Sequence, residues 1–234
     1  MIYLYAWYNP VSKRIFHTII ASVFILTLFG CGGNSSDKSQ GIIMYKVTYP
    51  KMDKSNFMMD FMPDKMILKF KDGKYVTSLT AGMGMFKSNF IVDKENDQFS
   101  QAVKLINKKY SLTLQGEAIT KAMEKIPAHN IELTGETKKI LNYHCNKAIV
   151  VVDNDSHDAF EVYYTDKIEI EDPNWGTVFS PINGVMLAYQ YEKYDVCMRF
   201  EAIKIKFTEI DDSEFEIDED YIGLSEEEMD KEMQ

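Results

Sequence analysis

The chain has 234 residues, a formal net charge of −10 and 45% hydrophobic residues. This length suffices for one domain with a substantial core. The acidic excess argues against nucleic-acid binding, because no basic stripe is available to neutralise phosphates.

The N-terminal segment has the pattern of a secretory signal. Residues 1–30 carry two charges, Lys13 and Arg14, followed by an apolar run over residues 15–29. That run is shorter than the about 20 apolar residues that a bilayer span needs. Its end, Leu-Phe-Gly-Cys at residues 28–31, resembles a lipobox. The pattern predicts a lipoprotein signal peptide and lipidation at Cys31, with a plain N-terminal membrane anchor as the alternative.

The segment after Cys31 is small and polar, which predicts a flexible tether over residues 31–41. Acyl chains on the cysteine would hold the protein stably on a membrane. Gly32, rather than an aspartate, follows the cysteine, which resembles the sorting pattern of outer-membrane lipoproteins. We therefore expect a lipid-anchored protein of the cell envelope, at the outer membrane. Its loss of residues 1–30 would change the net charge from −10 to −12.

Alternation of apolar and polar residues dominates the rest of the chain. Asp72-Gly73 predicts a tight hairpin, and apolar residues at helical spacing predict one helix over residues 117–126, stopped by Pro127. Strands are predicted over residues 43–49, 66–71, 75–79, 90–93, 99–106, 110–114, 143–152, 159–165, 185–191 and 197–210. We expect an α+β, mostly antiparallel fold: a curved sheet with a helix across its concave face.

The C-terminal segment is strongly acidic. Residues 209–232 hold thirteen acidic residues against Lys231 alone. This predicts a solvated, partly disordered acidic tail over residues 211–234, with a Ca²⁺ site or a site for a basic partner as alternatives. Ser225 and Glu228 form a capping-box pattern, and Leu224 and Met229 are placed as a hydrophobic staple, which predicts a short terminal helix.

Two cysteines follow Cys31 in the chain, Cys145 and Cys197. An oxidising envelope compartment would allow them to pair. By strand parity, Cys145 belongs with apolar residues and Cys197 with Asp195 and Arg199. We therefore expect opposite burial and free thiols, with a disulfide as the alternative.

No catalytic or metal pattern emerges. The histidines after residue 31 have no zinc-ligand spacing, and adjacent His144 and Cys145 would point to opposite faces of a strand. Residues 153–158 look like the start of a calcium loop but lack its glycine, so a hairpin turn is the better interpretation. Nucleophile elbows and phosphate-binding glycine loops are absent from the sequence. We expect no enzymatic activity, no metal and no cofactor.

Methionine is unusually frequent between residues 52 and 85, where seven occur together with three phenylalanines. Met side chains are unbranched and polarizable, so they adapt to irregular apolar partners. An ordinary core and a Cu(I) site with thioether ligands are alternatives. The functional hypothesis is a pliable pocket for a lipid or similar ligand, formed by Met58, Met59, Phe61, Met62, Met66, Met83, Met85, Phe86 and Met123.

Three segments carry a family resemblance: Leu-Thr-Gly-Glu-Thr-Lys-Lys-Ile-Leu-Asn-Tyr-His-Cys-Asn-Lys-Ala at residues 133–148, Phe-Glu-Val-Tyr-Tyr-Thr-Asp at 160–166, and Ile-Asn-Gly-Val-Met-Leu at 182–187. They are similar to Bacteroidetes-type exported lipoproteins of a domain-of-unknown-function family related to the lipoprotein carrier LolA and the LppX/LprG group. The resemblance implies an unclosed antiparallel barrel over residues 42–210, with helices across its concave face and an apolar cavity between them.

The function implied is binding of an acyl chain or other hydrophobic molecule, without catalytic residues. The expected partners are a membrane, through the N-terminal acyl chains, and a hydrophobic small molecule. The alternative is a structural or interaction protein of the envelope that uses its acidic tail or a sheet edge.

Overall fold

The computed structural model describes residues 38–53, 55–153, 158–193 and 196–233. The predicted signal peptide, Cys31 and most of the tether lie outside these residues. The described strands are β1 (Gln40–Thr48), β2 (Lys65–Lys71), β3 (Lys74–Ala81), β4 (Phe86–Asp93), β5 (Gln98–Leu105), β6 (Lys108–Gln115), β7 (His129–Ile140), β8 (Tyr143–Val152), β9 (Ala159–Thr165), β10 (Val185–Lys193), β11 (Val196–Phe207) and β12 (Ile222–Gly223).

Two α-helices accompany the strands, α1 (Glu117–Glu124) and α2 (Glu226–Met233). Short 3₁₀ turns cover Phe57–Phe61, Gly82–Gly84 and Asp212–Phe215. No helix in the described part of the chain is both long enough and apolar enough to span a bilayer.

All twelve described strands belong to one sheet, in the order β12-β6-β5-β4-β3-β2-β1-β11-β10-β9-β8-β7. Neighbouring strands are antiparallel, except that β12 runs parallel to β6. The outermost described strands, β12 and β7, do not pair with each other, so the sheet is open. The predicted fold class, a mostly antiparallel and unclosed sheet accompanied by helices, is confirmed.

Alternation along the strands separates two faces of the sheet. In β1, Ile43, Tyr45 and Val47 are buried, while Lys46 and Thr48 between them are exposed. We call the face that carries Tyr45 the inner face. Its apolar side chains supply much of the main core, because every second residue of a strand points the same way.

Strand β7 was not predicted from its sequence. Most of its residues are exposed, and its pairing with β8 shifts register between Leu133 and Thr137. Only Ile131 and Leu133 alternate with polar residues, and the register shift after Leu133 interrupts this short pattern.

The C-terminal segment differs from the predicted partly disordered tail. Asp212 and Asp220 form ion pairs with Lys71 and Lys109, at 2.7 and 2.5 Å. The segment then adds β12 to the sheet edge and ends in α2. Met229 of α2 is buried against apolar side chains of β5 and β6. The prediction considered only the charges within the segment, so it left out the lysines of the sheet that form ion pairs with it.

The predicted terminal helix is present, with its cap. The Ser225 backbone N–H donates to the Glu228 carboxylate at 2.9 Å, and the Glu228 N–H donates to the Ser225 hydroxyl at 3.3 Å. Leu224 and Met229 pack in the same apolar cluster, as the staple requires.

Both described cysteines are free, as expected, but the predicted exposure of Cys197 is wrong. Cys145 and Cys197 are both buried. Lys51 forms ion pairs with Asp158 and Glu192 at 2.6 and 2.8 Å, and these charged groups lie beside the Cys197 thiol. Strand parity could not predict that these charged groups shield Cys197 from solvent, because Lys51 belongs to the β1–β2 connection, which is distant in the chain.

Candidate ligand-binding cavity

A cavity of about 230 Å³ lies on the inner face of the sheet. Seven adjacent strands, from β5 through β1 to β10, contribute side chains to its wall. Laid flat, seven strands would span roughly 29 Å at about 4.8 Å per neighbour. Their convergence on one small volume shows that the sheet is strongly curved. The wall includes Phe99, Phe90, Thr77, Leu68, Tyr45, Phe200 and Tyr189, in strand order.

Helix α1 closes part of the open side. Met123 and the following Ile126 line the cavity, and Ile119 of the same face is buried. Gly176 of the β9–β10 connection lies against this helix, where an added Cβ would be in ordinary contact with Ile119 at 3.4 Å. Its φ of 67° is a left-handed conformation that favours glycine, so a side chain there would be strained.

The β9–β10 connection forms the rest of the cover and is held in place by a buried amide. Asn174 donates from Nδ2 to the carbonyl oxygens of Ile182 and Gly184, at 2.6 and 3.0 Å. The Thr177 hydroxyl donates to the Asn174 carbonyl at 2.7 Å. Buried polar groups that are satisfied in this way fix a loop in one conformation, so the cover is preformed.

The polar atoms of the wall are mainly phenols that remain neutral. The Tyr45 hydroxyl donates to the Met186 carbonyl at 2.9 Å, and Tyr189 stacks on Phe200 with ring centroids 4.8 Å apart. Burial raises the pKa of Tyr45, Tyr75 and Tyr189. The wall therefore presents an uncharged, largely apolar surface.

Charge is present at one place in the described wall. Lys193, at the end of β10, lines the cavity, and its Nζ lies 5.8 Å from the centre of the Phe90 ring. Burial lowers the pKa of Lys193, while Asp230 and Glu226 of α2 act in the opposite direction.

Beyond Lys193 the cavity adjoins a more polar space of about 200 Å³, which we call the vestibule. Ile126, Tyr191 and Lys193 line both spaces. His129 and Glu192 belong to the vestibule alone. The cavity and the vestibule together form an apolar compartment with a polar end.

The described cavity wall carries few ionisable side chains. It contains no carboxylate, histidine or cysteine side chain, and Lys193 is its one ionisable group besides the tyrosines. Within the described ranges, no cluster of three or more His, Cys, Asp or Glu side chains could hold a metal ion. The space is suited to non-covalent binding of an apolar molecule with a polar end.

Two of the nine residues predicted for a ligand pocket, Met66 and Met123, line the cavity. Met59 and Met62, on the β1–β2 connection, are partly buried against the main core. Phe86 packs in the separate cluster beneath α2.

The other four predicted residues, Met58, Phe61, Met83 and Met85, are exposed. The structure does not gather the nine side chains around one space. Sequence reasoning missed most of the wall, because residues such as Leu68 and Thr77 occur in ordinary strand alternation, which marks a covered face but not a cavity.

Comparison with known proteins gives limited similarity. Residues 66–175 match a family model described as the N-glycanase peptide, N-terminal domain, which is less than half of the chain. No curated protein matches the sequence. Among solved structures, the chain is similar to a beta-barrel-like protein of domain of unknown function DUF1849 from Brucella abortus. The identity is 13% and the TM-score 0.29, over 73% of this chain and 98% of that chain.

Proposed function

We propose that the protein is a non-enzymatic binding module that holds a lipid or other hydrophobic ligand in the inner-face cavity. The observation that carries the proposal is the cavity itself, about 230 Å³ with a largely apolar wall. For comparison, an apolar cavity of roughly 150 Å³ is enough to bind benzene.

The construction of the cover supports the proposal. Protein interiors are close-packed, and voids larger than a water molecule are few. Here Asn174 and Gly176 hold the β9–β10 connection over the sheet without filling the space beneath it. An apolar wall with a polar end, at Lys193, suits an elongated amphipathic molecule better than a water cluster.

The sequence resemblance to the group related to LolA points in the same direction, since that group combines an unclosed barrel with an apolar cavity. The lipobox pattern at Cys31 supports a membrane anchor, and with it a site of action in the cell envelope, at the outer membrane, as part of this proposal. The covalent lipid on Cys31 and the ligand in the cavity are separate molecules in this proposal.

The alternative function, partner binding through the acidic segment, has less support. Asp212, Glu214, Asp220 and Glu226 of that segment each form an ion pair with a lysine of the same domain. A partner would have to displace these contacts, so the segment is better understood as part of the fold.

The test is to purify the full chain from its membrane and extract it with organic solvent. Mass spectrometry of the extract should show a non-covalent hydrophobic molecule in near-stoichiometric amount. The Asn174→Ala variant, which frees the cover, should lose most of it, while the surface variant Asn183→Ala should retain it. Absence of any extractable molecule from the wild type, together with failure to take up added fatty acid, would refute the proposal.

A further inference from the structure

Three chain connections meet at one end of the sheet. Strands β1 to β6 are neighbours in antiparallel order, so the β1–β2, β3–β4 and β5–β6 connections all lie at the same end. We call this the loop end. The chain enters β1 at the opposite end, where Gln40 pairs with Lys71.

Large apolar side chains are concentrated at the loop end. Six of the eleven exposed large hydrophobic residues among those described lie on these three connections, and a seventh, Leu105, is the last residue of β5. Phe57 is 72% exposed, Ile106 is 59% exposed and Met83 is fully exposed. We call the set the apolar loop surface: Phe57, Met58, Phe61, Met83, Met85, Leu105 and Ile106. Exposed apolar residues scattered singly are ordinary, whereas a concentration of this kind marks an interaction site.

The local backbone holds these side chains outward. Met83 and Ile106 both have positive φ, 53° and 57°, which is uncommon for methionine and a clear outlier for a β-branched residue. The Ile106 N–H donates to the Met85 carbonyl at 2.6 Å, which joins the β5–β6 turn to the β3–β4 connection. Such backbone strain persists where the surroundings impose it, and it is common at binding sites.

A row of lysines crosses the outer face just behind the apolar loop surface. Lys46 is paired with Lys65 across β1 and β2, and Lys87 is paired with Lys104 across β4 and β5. Lys104 is in turn opposite Lys109 on β6. We call these five lysines the basic row. It is notable in a protein with a net charge of −10, because like charges directly opposite each other destabilise a sheet.

Nearby carboxylates neutralise the basic row only in part. Lys109 is paired with Asp220, and Lys65 lies 4.0 Å from exposed Asp64. No described carboxylate forms an ion pair with Lys87, with Lys104 or with Lys46, although Glu201 is opposite Lys46 in β11. The β1–β2 connection also carries Asp53 and Asp60, so the positive charge comes from the strands rather than from that loop.

We propose that the loop end docks on a phospholipid bilayer, with the apolar loop surface inserted between the headgroups and the basic row against their phosphates. Apolar side chains at the tip with lysines directly behind them are the arrangement that an interfacial membrane site requires. A second copy fits less well, because a two-fold contact would place each basic row near its equivalent.

Docking in this orientation would connect the bilayer to the cavity. Lys193 and Glu192 lie at the end of β10, and this is the loop end, because β10 precedes β11 and β11 begins opposite the end of β1. The vestibule that these residues line therefore faces the same side as the apolar loop surface. The docking site stands without the ligand proposal, since it uses different side chains.

The experiment attaches an environment-sensitive fluorophore to the full chain, reconstituted in phosphatidylcholine vesicles with or without phosphatidylglycerol. A Met83→Cys label should shift to the blue and be quenched by lipid-borne quenchers, most strongly with phosphatidylglycerol. A Phe57→Cys label should respond in the same way. The matched control is Asn183→Cys, an exposed position at the opposite end, which should show neither effect.

The charge requirement is tested by the triple variant Lys46→Gln, Lys87→Gln and Lys104→Gln. Each lysine near an anionic surface contributes roughly fivefold, so the ratio of docked to undocked protein should fall about 100-fold at low salt. The control replaces three exposed lysines elsewhere, Lys139, Lys204 and Lys206, and should leave the ratio unchanged.

Two results would overturn the docking proposal. One is a Met83→Cys label that stays solvent-exposed on both kinds of vesicle. The other is a blue shift that persists in detergent and is insensitive to lipid-borne quenchers, which would indicate contact with another protein copy.

Discussion

Filling the cavity should abolish ligand binding without weakening the fold. Thr77 on β3 faces the cavity between Leu68 and Phe90, which are its partners on the neighbouring strands. A phenyl ring is about the size of the benzene that a roughly 150 Å³ cavity accepts. Thr77→Phe would therefore place a ring of that size in the 230 Å³ space and leave much less room for a ligand.

The stability change can be worked out from the same geometry. Burying a Phe side chain contributes about 1.5–3 kcal/mol, against about 0.5–1 kcal/mol of lost side-chain freedom and the loss of the partly buried threonine methyl. We expect the free energy of unfolding to rise by about 1 kcal/mol. A site that is already filled would instead be overpacked, at a cost of about 1–3 kcal/mol.

The assay is titration with N-phenyl-1-naphthylamine, whose fluorescence rises in apolar surroundings, combined with urea denaturation. Thr77→Phe should lower the affinity for the probe at least tenfold. The control, Thr80→Phe, makes the same change on the exposed face of the same strand and should change neither property appreciably. Wild-type affinity in Thr77→Phe, or a loss of stability, would refute the cavity assignment.

Four other predictions concern the fold, the thiols and the anchor. Met229→Ala should lower the free energy of unfolding by about 2–3 kcal/mol because the side chain is buried under α2, whereas the same change at fully exposed Met83 should cost less than about 0.5 kcal/mol, measured by urea denaturation. Hydrogen bonds from Ser225 hold the pKa of Glu228 below its ordinary value of 4.5, so the stabilisation they give is present above pH 4.5 and is lost as the pH falls through the lowered pKa. The difference in free energy of unfolding between wild type and Ser225→Ala should therefore become smaller in acid. Burial raises the pKa of the two described thiols, so a disulfide-exchange reagent should modify them only after denaturation. Cys31→Ser should give an unprocessed precursor without incorporated palmitate.

Each of these predictions has a result that would contradict it. Equal losses for the two methionine variants would mean that α2 does not pack as described. A pH-independent gap for Ser225→Ala would show that the cap does not involve the ionised carboxylate. Rapid reaction of native thiols would contradict their burial, and palmitate on Cys31→Ser would exclude the lipobox assignment.

The sheet was largely predictable because its central strands bury one face. Alternation identified β1 to β6 and β8 to β11, and Asp72-Gly73 forms the expected tight turn, with φ of 48° and 80°. Strand β7 was not predicted because its apolar alternation is limited to Ile131 and Leu133 and most of its other residues are polar. The acidic segment was misjudged because its lysine partners lie more than a hundred residues away in the chain.

The cavity could be anticipated as a class of site but not in position. Clustered methionines and phenylalanines near residues 52–85 indicated adaptable apolar surface, and the structure places several of them on the loop end instead of in the cavity. Composition shows only that apolar side chains are present in this part of the chain. Whether they line a space or face outward depends on the turns that carry them, such as the one at Met83.

Photo-crosslinking with a diazirine-bearing fatty acid, followed by peptide mapping of the full chain, tests the central claim most directly. We expect labels on inner-face peptides that contain Thr77 and Phe90 and on the α1 peptide that contains Met123. These labels should disappear in Thr77→Phe. Labels confined to the apolar loop surface, or spread in proportion to side-chain exposure, would show that the cavity is not the ligand site.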